Sequence, residues 1–145
     1  MKPKPSSVQY LNLVLTKHQM RNMLTQVVWC LEEAIAKADP QSAPRRLPML
    51  LKEAEATRDA FQRHFGLRSL PARDRGFEKF LALLTKSSKV PTHTLVSWAF
   101  SEAGGAASAE TKGFTMPPAL QHKIKELAGH LLRCVHEMRK SKRGR

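Results

Sequence analysis

The chain has 145 residues, 41% of them hydrophobic and 6% aromatic, and its 25 Lys and Arg against 12 Asp and Glu give a formal net charge of +13. That length and apolar content suit one domain of the usual ~100–200 residues and exclude both a second full domain and global disorder. No apolar stretch nears the ~18 residues of a membrane span, and Met1 to Ser7 lacks the apolar segment of a secretory signal. An intracellular protein without a membrane partner is therefore expected, cytoplasmic or associated with nucleic acid. The absence of acids before Glu32 is also compatible with mitochondrial import. Two cysteines, Cys30 and Cys134, exclude a disulfide framework and a four-cysteine metal site, and both read as buried thiols among apolar neighbours.

Within Ser6 to Asp39, Met20, Leu24, Val27, Leu31 and Ile35 recur at three- and four-residue intervals, the stripe of one long helix. Thr16 and Gln19 have capping-box spacing, which places its start there and leaves Tyr10 to Leu15 as either a separate helical turn or a short extended piece. Asp39, Pro40, Ser42 and Pro44 break the pattern. A second stripe, Leu47, Leu50, Leu51, Ala54, Phe61 and Phe65, predicts a helix over 47–65 with Gly66 as a left-handed cap. After a connection at Leu70 to Ala72, Phe77, Phe80, Leu81 and Leu84 mark a shorter third helix ending near 86–88. Pro91 and Thr92 open a fourth that buries Leu95, Val96, Ala99 and Phe100.

From Gly104 to Gly113 the composition turns to Gly, Ala, Ser and Thr without periodicity, which predicts a mobile surface loop with no part in the core. Thr115, Pro117 and Pro118 then start the last helix, striped by Leu120, Ile124, Leu127, Leu131, Cys134 or Val135, and Met138. Such a stripe can seal an internal core or pack on another subunit, and the internal role is favoured. The expected fold class is all-α, a single bundle of about five helices over 1–138 followed by a basic tail over 139–145.

The positive charge is concentrated. Residues 41–89 hold eleven basic against five acidic residues, and 121–145 hold eight against two. Arg45, Arg46, Lys52, Arg58, Arg63, Arg68, Arg73, Arg75 and Lys79 crowd the first stretch, and Arg139, Lys140, Lys142, Arg143 and Arg145 close the second. This excess costs stability through self-repulsion unless a polyanion relieves it, and the commonest intracellular polyanion is a nucleic-acid backbone. Arginine's planar fork suits bidentate phosphate contacts. Phe61, Phe65, Phe77, Phe80 and Phe100 all fall on apolar stripes and read as core, leaving Trp29, Trp98 and Tyr10 as undetermined rings. With few stacking platforms, binding is expected to run through the backbone with weak sequence selectivity. These fourteen cations are the expected site for RNA or single-stranded DNA, on a noncatalytic protein working as a subunit of a larger ribonucleoprotein, without cofactor or metal.

Two resemblances imply other chemistry. The run FLALLTKSSKVPTHTLVSWAFSEAGG, Phe80 to Gly105, resembles a helix-turn-helix module in outline and implies duplex-DNA contacts through Thr92, His93, Thr94, Ser97 and Trp98. The compact Gly-containing turn is absent, and that second helix has no Arg, Lys, Asn or Gln to read base edges. RDAFQRH is similar to the Arg and His spacing of helical ribonucleases of the HEPN class, which implies Arg58 stabilising a phosphorane and His64 moving protons as RNA is cleaved through its 2′-hydroxyl. In size and charge alone the chain looks like the small helical subunits of CRISPR effector complexes, or the basic bundle partners of some reverse transcriptases. His130 and Cys134, four residues apart, with Cys30 as a third ligand, are the one metal arrangement worth testing, and it lacks a fourth donor. Glu32 and Glu33 are adjacent, so they diverge on a helix and make a poor acid–base pair. No phosphate loop, nucleophile elbow or Ser/His/Asp pattern occurs.

Overall fold

The computed structural model describes residues 13–37, 45–87 and 92–143, the side chains of 84–87 and 140–143 excepted. It contains the helices α1 (Lys17–Lys37), α2 (Leu47–Phe65), α3 (Arg75–Ser87), α4 (Thr92–Ser108) and α5 (Pro118–Arg143), with two-residue strands β1 (Val14–Leu15) and β2 (Glu110–Thr111). The expected all-α bundle of five helices is what forms. Tyr10, the breakers Asp39 to Pro44, and Pro91 lie outside the described residues.

Local chemistry sets the helix ends. The Thr16 N–H donates to Gln19 Oε1 at 2.9 Å and the Gln19 N–H to Thr16 Oγ1 at 3.1 Å, the reciprocal capping box that the spacing predicts. α2 closes at Gly66, whose φ of 64° is the left-handed conformation that glycine adopts without steric penalty. Asp74 opens α3 by accepting the Phe77 N–H at 2.8 Å.

α1 and α5 each pack against both α2 and α4, closing a ring in the order α1, α2, α5, α4. Neighbours in the ring are antiparallel. β1, just before α1, pairs with β2, just after α4, and Arg46 at the start of α2 meets Glu137 near the end of α5. The core comprises two apolar clusters along the bundle axis. One joins Val27, Leu31, Leu47, Leu95, Leu127 and Leu131; the other joins Met20, Leu24, Phe61 and Ile124. Both Cys134 and Val135 are buried, so the stripe of α5 seals the internal core. α3 lies outside the ring against α1 and α4, where Phe77 meets Trp29 at 5.4 Å and stacks on Trp98 at 5.3 Å. Among the described residues no helix is long and apolar enough to cross a membrane.

Two boundaries differ from the sequence expectation. The stretch from Gly104 is not a loop at its start, because α4 runs on to Ser108 with Ala103, Gly105 and Ala106 buried. A Cβ on Gly105 would stand 3.0 Å from Met23 Cε and 3.2 Å from Leu13 Cδ1, so small residues here let α4 approach α1 and β1 closely. Glu110 and Thr111 then pair in parallel with Val14 and Leu15, which makes those last two residues of the Tyr10–Leu15 stretch extended. At the other end, α5 continues through Arg143, so Arg139 onward prolongs the helix rather than forming a separate tail. Cations are favoured at a helix C-terminus, where the unpaired carbonyls carry partial negative charge.

Gly105→Leu is expected to destabilise the protein by about 1–3 kcal/mol by forcing α1 and α4 apart. Gly129→Ala, inside α5 with open space around the new methyl, should stabilise it by about 0.5–1 kcal/mol. Urea denaturation of both variants checks the pair of opposite signs.

Candidate nucleic-acid interface

On α2 and the turn before it, Arg45, Lys52 and Arg63 are seven and eleven residues apart, two and three helical turns, so they share one side, and all three are exposed. Met49, in the same region, is 72% exposed. On α5, Lys123, Arg133 and Arg139 are exposed. Two contacts fix how the helices align. Arg46 meets Glu137 at 3.1 Å, and His130 Nδ1 lies 2.9 Å from both carboxylate oxygens of Glu53. These pairs are seven residues apart on each helix, so Lys123, two further turns along, lies level with Ala60, beside Arg63. By the same register Arg133 stands level with Leu50, beside Lys52, whereas Arg139, eighteen residues after Gln121, shares the azimuth of that side chain and turns toward the α4 flank, off the seam. The strip from Arg45 to Arg63 is about 27 Å long, the run of roughly eight nucleotides at ~3.4 Å per nucleotide of one strand.

The acids along this seam are already engaged. Glu137 holds Arg46, Glu53 holds His130, Glu126 lies 3.4 Å from His122, and Asp59 lies 3.0 Å from Arg58. These are all the acids of α2 and α5 but Glu55. Among the described residues, Arg45, Lys52, Arg63, Lys123, Arg133 and Arg139 therefore have no carboxylate partner. Among the described residues the first five of these form a face with an excess of cations that no carboxylate pairs.

The remaining expected residues are placed elsewhere. Arg73 is not on this face: its guanidinium reaches Glu33 at 3.0 Å, Glu78 at 3.8 Å and Glu32 at 4.0 Å, and lies 5.1 Å over the Phe77 ring. It clamps the α2–α3 connection onto α1. Arg58 bonds Asp59 with its side chain only 19% exposed. Arg68, Arg75 and Lys79 are exposed but belong to the connection and to α3, which lean on α1 and α4 across the bundle from the α2–α5 seam. The side chains of Lys140, Lys142 and Arg143, and the whole of Arg145, lie outside the described residues. Lys123 and Arg133 join the face although neither is among the fourteen expected cations. Lys125 is turned to the other flank of α5, lining an open depression of about 610 Å³ with Gln121 and Ser108.

No protein-family model matches the chain, and neither does any curated protein or solved structure. Nothing about its function can be carried over from a relative.

The geometry gives the other chemistries little to work with. α4 packs between α1 and α5 with Leu95, Val96 and Ala99 buried, Trp98 lies against Phe77 and Phe80 of α3, and Thr92, His93, Thr94 and Ser97 are half-buried. Arg58 and His64, six residues apart, point about 120° apart around α2 and about 9 Å apart along it. Arg58 is held by Asp59, and the exposed His64 rests edge-on against Phe65. His130 is engaged by Glu53, and no group of three or more His, Cys, Asp or Glu able to hold a metal occurs among the described residues. Burial pushes the Cys30 thiol up, with Glu102 adding to the effect against an opposing pull from Arg73, and burial likewise raises Cys134. Neither thiol is disposed to ionise. Glu102 itself is pushed up to about 6 by burial.

Arg73→Ala removes the nearer of two cations paired with Glu33, whose side chain is 15% exposed, and leaves it Lys37 at 3.7 Å. It is expected to cost about 1–3 kcal/mol of stability, whereas Lys52→Ala on the outer face should stay within about 0.5 kcal/mol of the parent. Urea midpoints of the two variants make the comparison.

Proposed function

We propose that this protein is a noncatalytic nucleic-acid-binding helical protein that holds the phosphate backbone of RNA or single-stranded DNA along the α2–α5 face, as a subunit of a larger ribonucleoprotein assembly. One observation supports it above the rest: among the described residues the seam's carboxylates are nearly all engaged internally, while Arg45, Lys52, Arg63, Lys123 and Arg133 have no carboxylate partner along about 27 Å of surface. Repulsion among such cations is relieved by a chain of phosphates, which releases its condensed counterions on binding.

The rings argue for backbone rather than base recognition. Phe61, Phe77 and Trp29 are buried and the half-buried Trp98 stacks on Phe77, so among the described residues these rings offer the face no platform for bases. Affinity should accordingly vary little with nucleotide sequence. A single strand can follow a two-helix ridge by bending, whereas duplex recognition ordinarily places a helix or ribbon in a groove.

Binding of a single-stranded RNA across a salt series tests the reading. Each of Lys52→Ala, Arg63→Ala and Arg133→Ala should weaken binding and reduce the slope of log K against log salt by about 0.7–0.9. Arg75→Ala and Lys79→Ala should change neither. Failure of the parent protein to bind at low salt, or equal losses at Arg75 and Lys79, would contradict it.

A further inference from the structure

Four of the six histidines, His64, His122, His130 and His136, lie on α2 and α5 among these cations. His130 faces Glu53 across the seam, and His122 faces Glu126 one turn along α5, with side chains 71% and 52% exposed. His64 is three turns beyond Glu53 on the same flank of α2, and His136 is exposed one turn after Arg133. The charged groups that α2 turns to this seam are Arg46, Lys52, Glu53 and Arg63, and those of α5 are Lys123, Glu126, Arg133 and Glu137. The acids of α1 and α4 are engaged elsewhere, Glu32 and Glu33 with Arg73 and Glu102 beside Cys30.

We propose that these four histidines belong to the phosphate-binding site and make nucleic-acid binding proton-coupled. The inference rests on the α2–α5 face being that site. A neutral His130 can still donate its Nδ1–H to Glu53, yet it leaves the full negative charge of that carboxylate inside the basic strip. Protonation keeps the contact and cancels the charge. The same holds for His122 and Glu126, while protonated His64 and His136 add cations outright. Imidazole is the side chain whose ordinary titration range lies closest to neutrality.

The sign follows from linkage. Phosphates favour the protonated rings, so the bound state holds more protons than the free protein, and affinity rises as pH falls. Four partly screened sites should together strengthen binding about tenfold or more from pH 8 to pH 6 at fixed salt, each contributing a fraction of the tenfold per pH unit that full coupling would give. Neither the phosphodiesters nor the bases titrate appreciably in that window.

The experiment measures the dissociation constant of a single-stranded RNA at pH 6 and pH 8, and proton uptake by calorimetry in two buffers of different ionisation enthalpy. It compares the parent with the variant carrying His64→Gln, His122→Gln, His130→Gln and His136→Gln. The parent should gain affinity and take up protons on acidification, and the variant should bind equally at pH 6 and pH 8 without the proton uptake. His18 and His93 are present in both proteins and serve as the internal control. Should the fourfold variant fold poorly by circular dichroism, the two exposed changes His122→Gln and His136→Gln should still remove a measurable part of the gain. Parent binding that is equal at both pH values, or a variant that keeps the whole gain, overturns the coupling and leaves the phosphate site standing. Absence of binding at either pH overturns both.

Discussion

Like charges arrayed along the outside of α2 and α5 are the constraint on which the functional account depends. Water and salt screen such repulsion beyond roughly 8–10 Å, so it acts between the cations that the register brings level, Arg133 beside Lys52 and Lys123 beside Arg63, and between them and the carboxylates of the seam. The fold resolves this locally by pairing those carboxylates with Arg46, Arg58, His122 and His130. That arrangement leaves Arg45, Lys52, Arg63, Lys123 and Arg133 without a carboxylate partner among the described residues, the charge that the proposed polyanion would balance.

Arginine serves two ends in this molecule, and burial separates them. Arg73, 29% exposed, sits amid three carboxylates and an aromatic ring. There its charge fastens the connection before α3 to α1, and the stack of Trp29, Phe77 and Trp98 fastens α3 itself. Arg63 and Arg133 face solvent without acids, where a surface ion pair would add little stability in any case. Residues of one type in one stretch of sequence thus divide into a structural clamp and a surface open to a ligand.

Much of the fold was legible because large apolar residues carry periodicity. The stripes of α2 and α5, the Thr16–Gln19 box and the Gly66 cap are each set within a few residues of sequence. The end of α4 was not legible, since Gly104, Gly105 and Ala106 show no apolar period and Gly105 acts by closeness to Met23 and Leu13, distant in sequence. The site divides the same way. The row Arg45, Lys52, Arg63 follows from helical spacing alone. The capture of Arg73 depends on an acid forty residues away, and the inclusion of Lys123 and Arg133 depends on the register set by Glu53 with His130, seventy-seven residues apart.

Amide chemical-shift mapping with a short single-stranded RNA tests the central claim most directly, because it reports where the polyanion lies whatever its affinity. The account expects the shifts to concentrate on Arg45 to Arg63 and on Lys123 to Arg133, with α3 and the outer side of α4 unmoved. Shifts centred on Arg68 to Lys79, or spread evenly over the bundle, would contradict it.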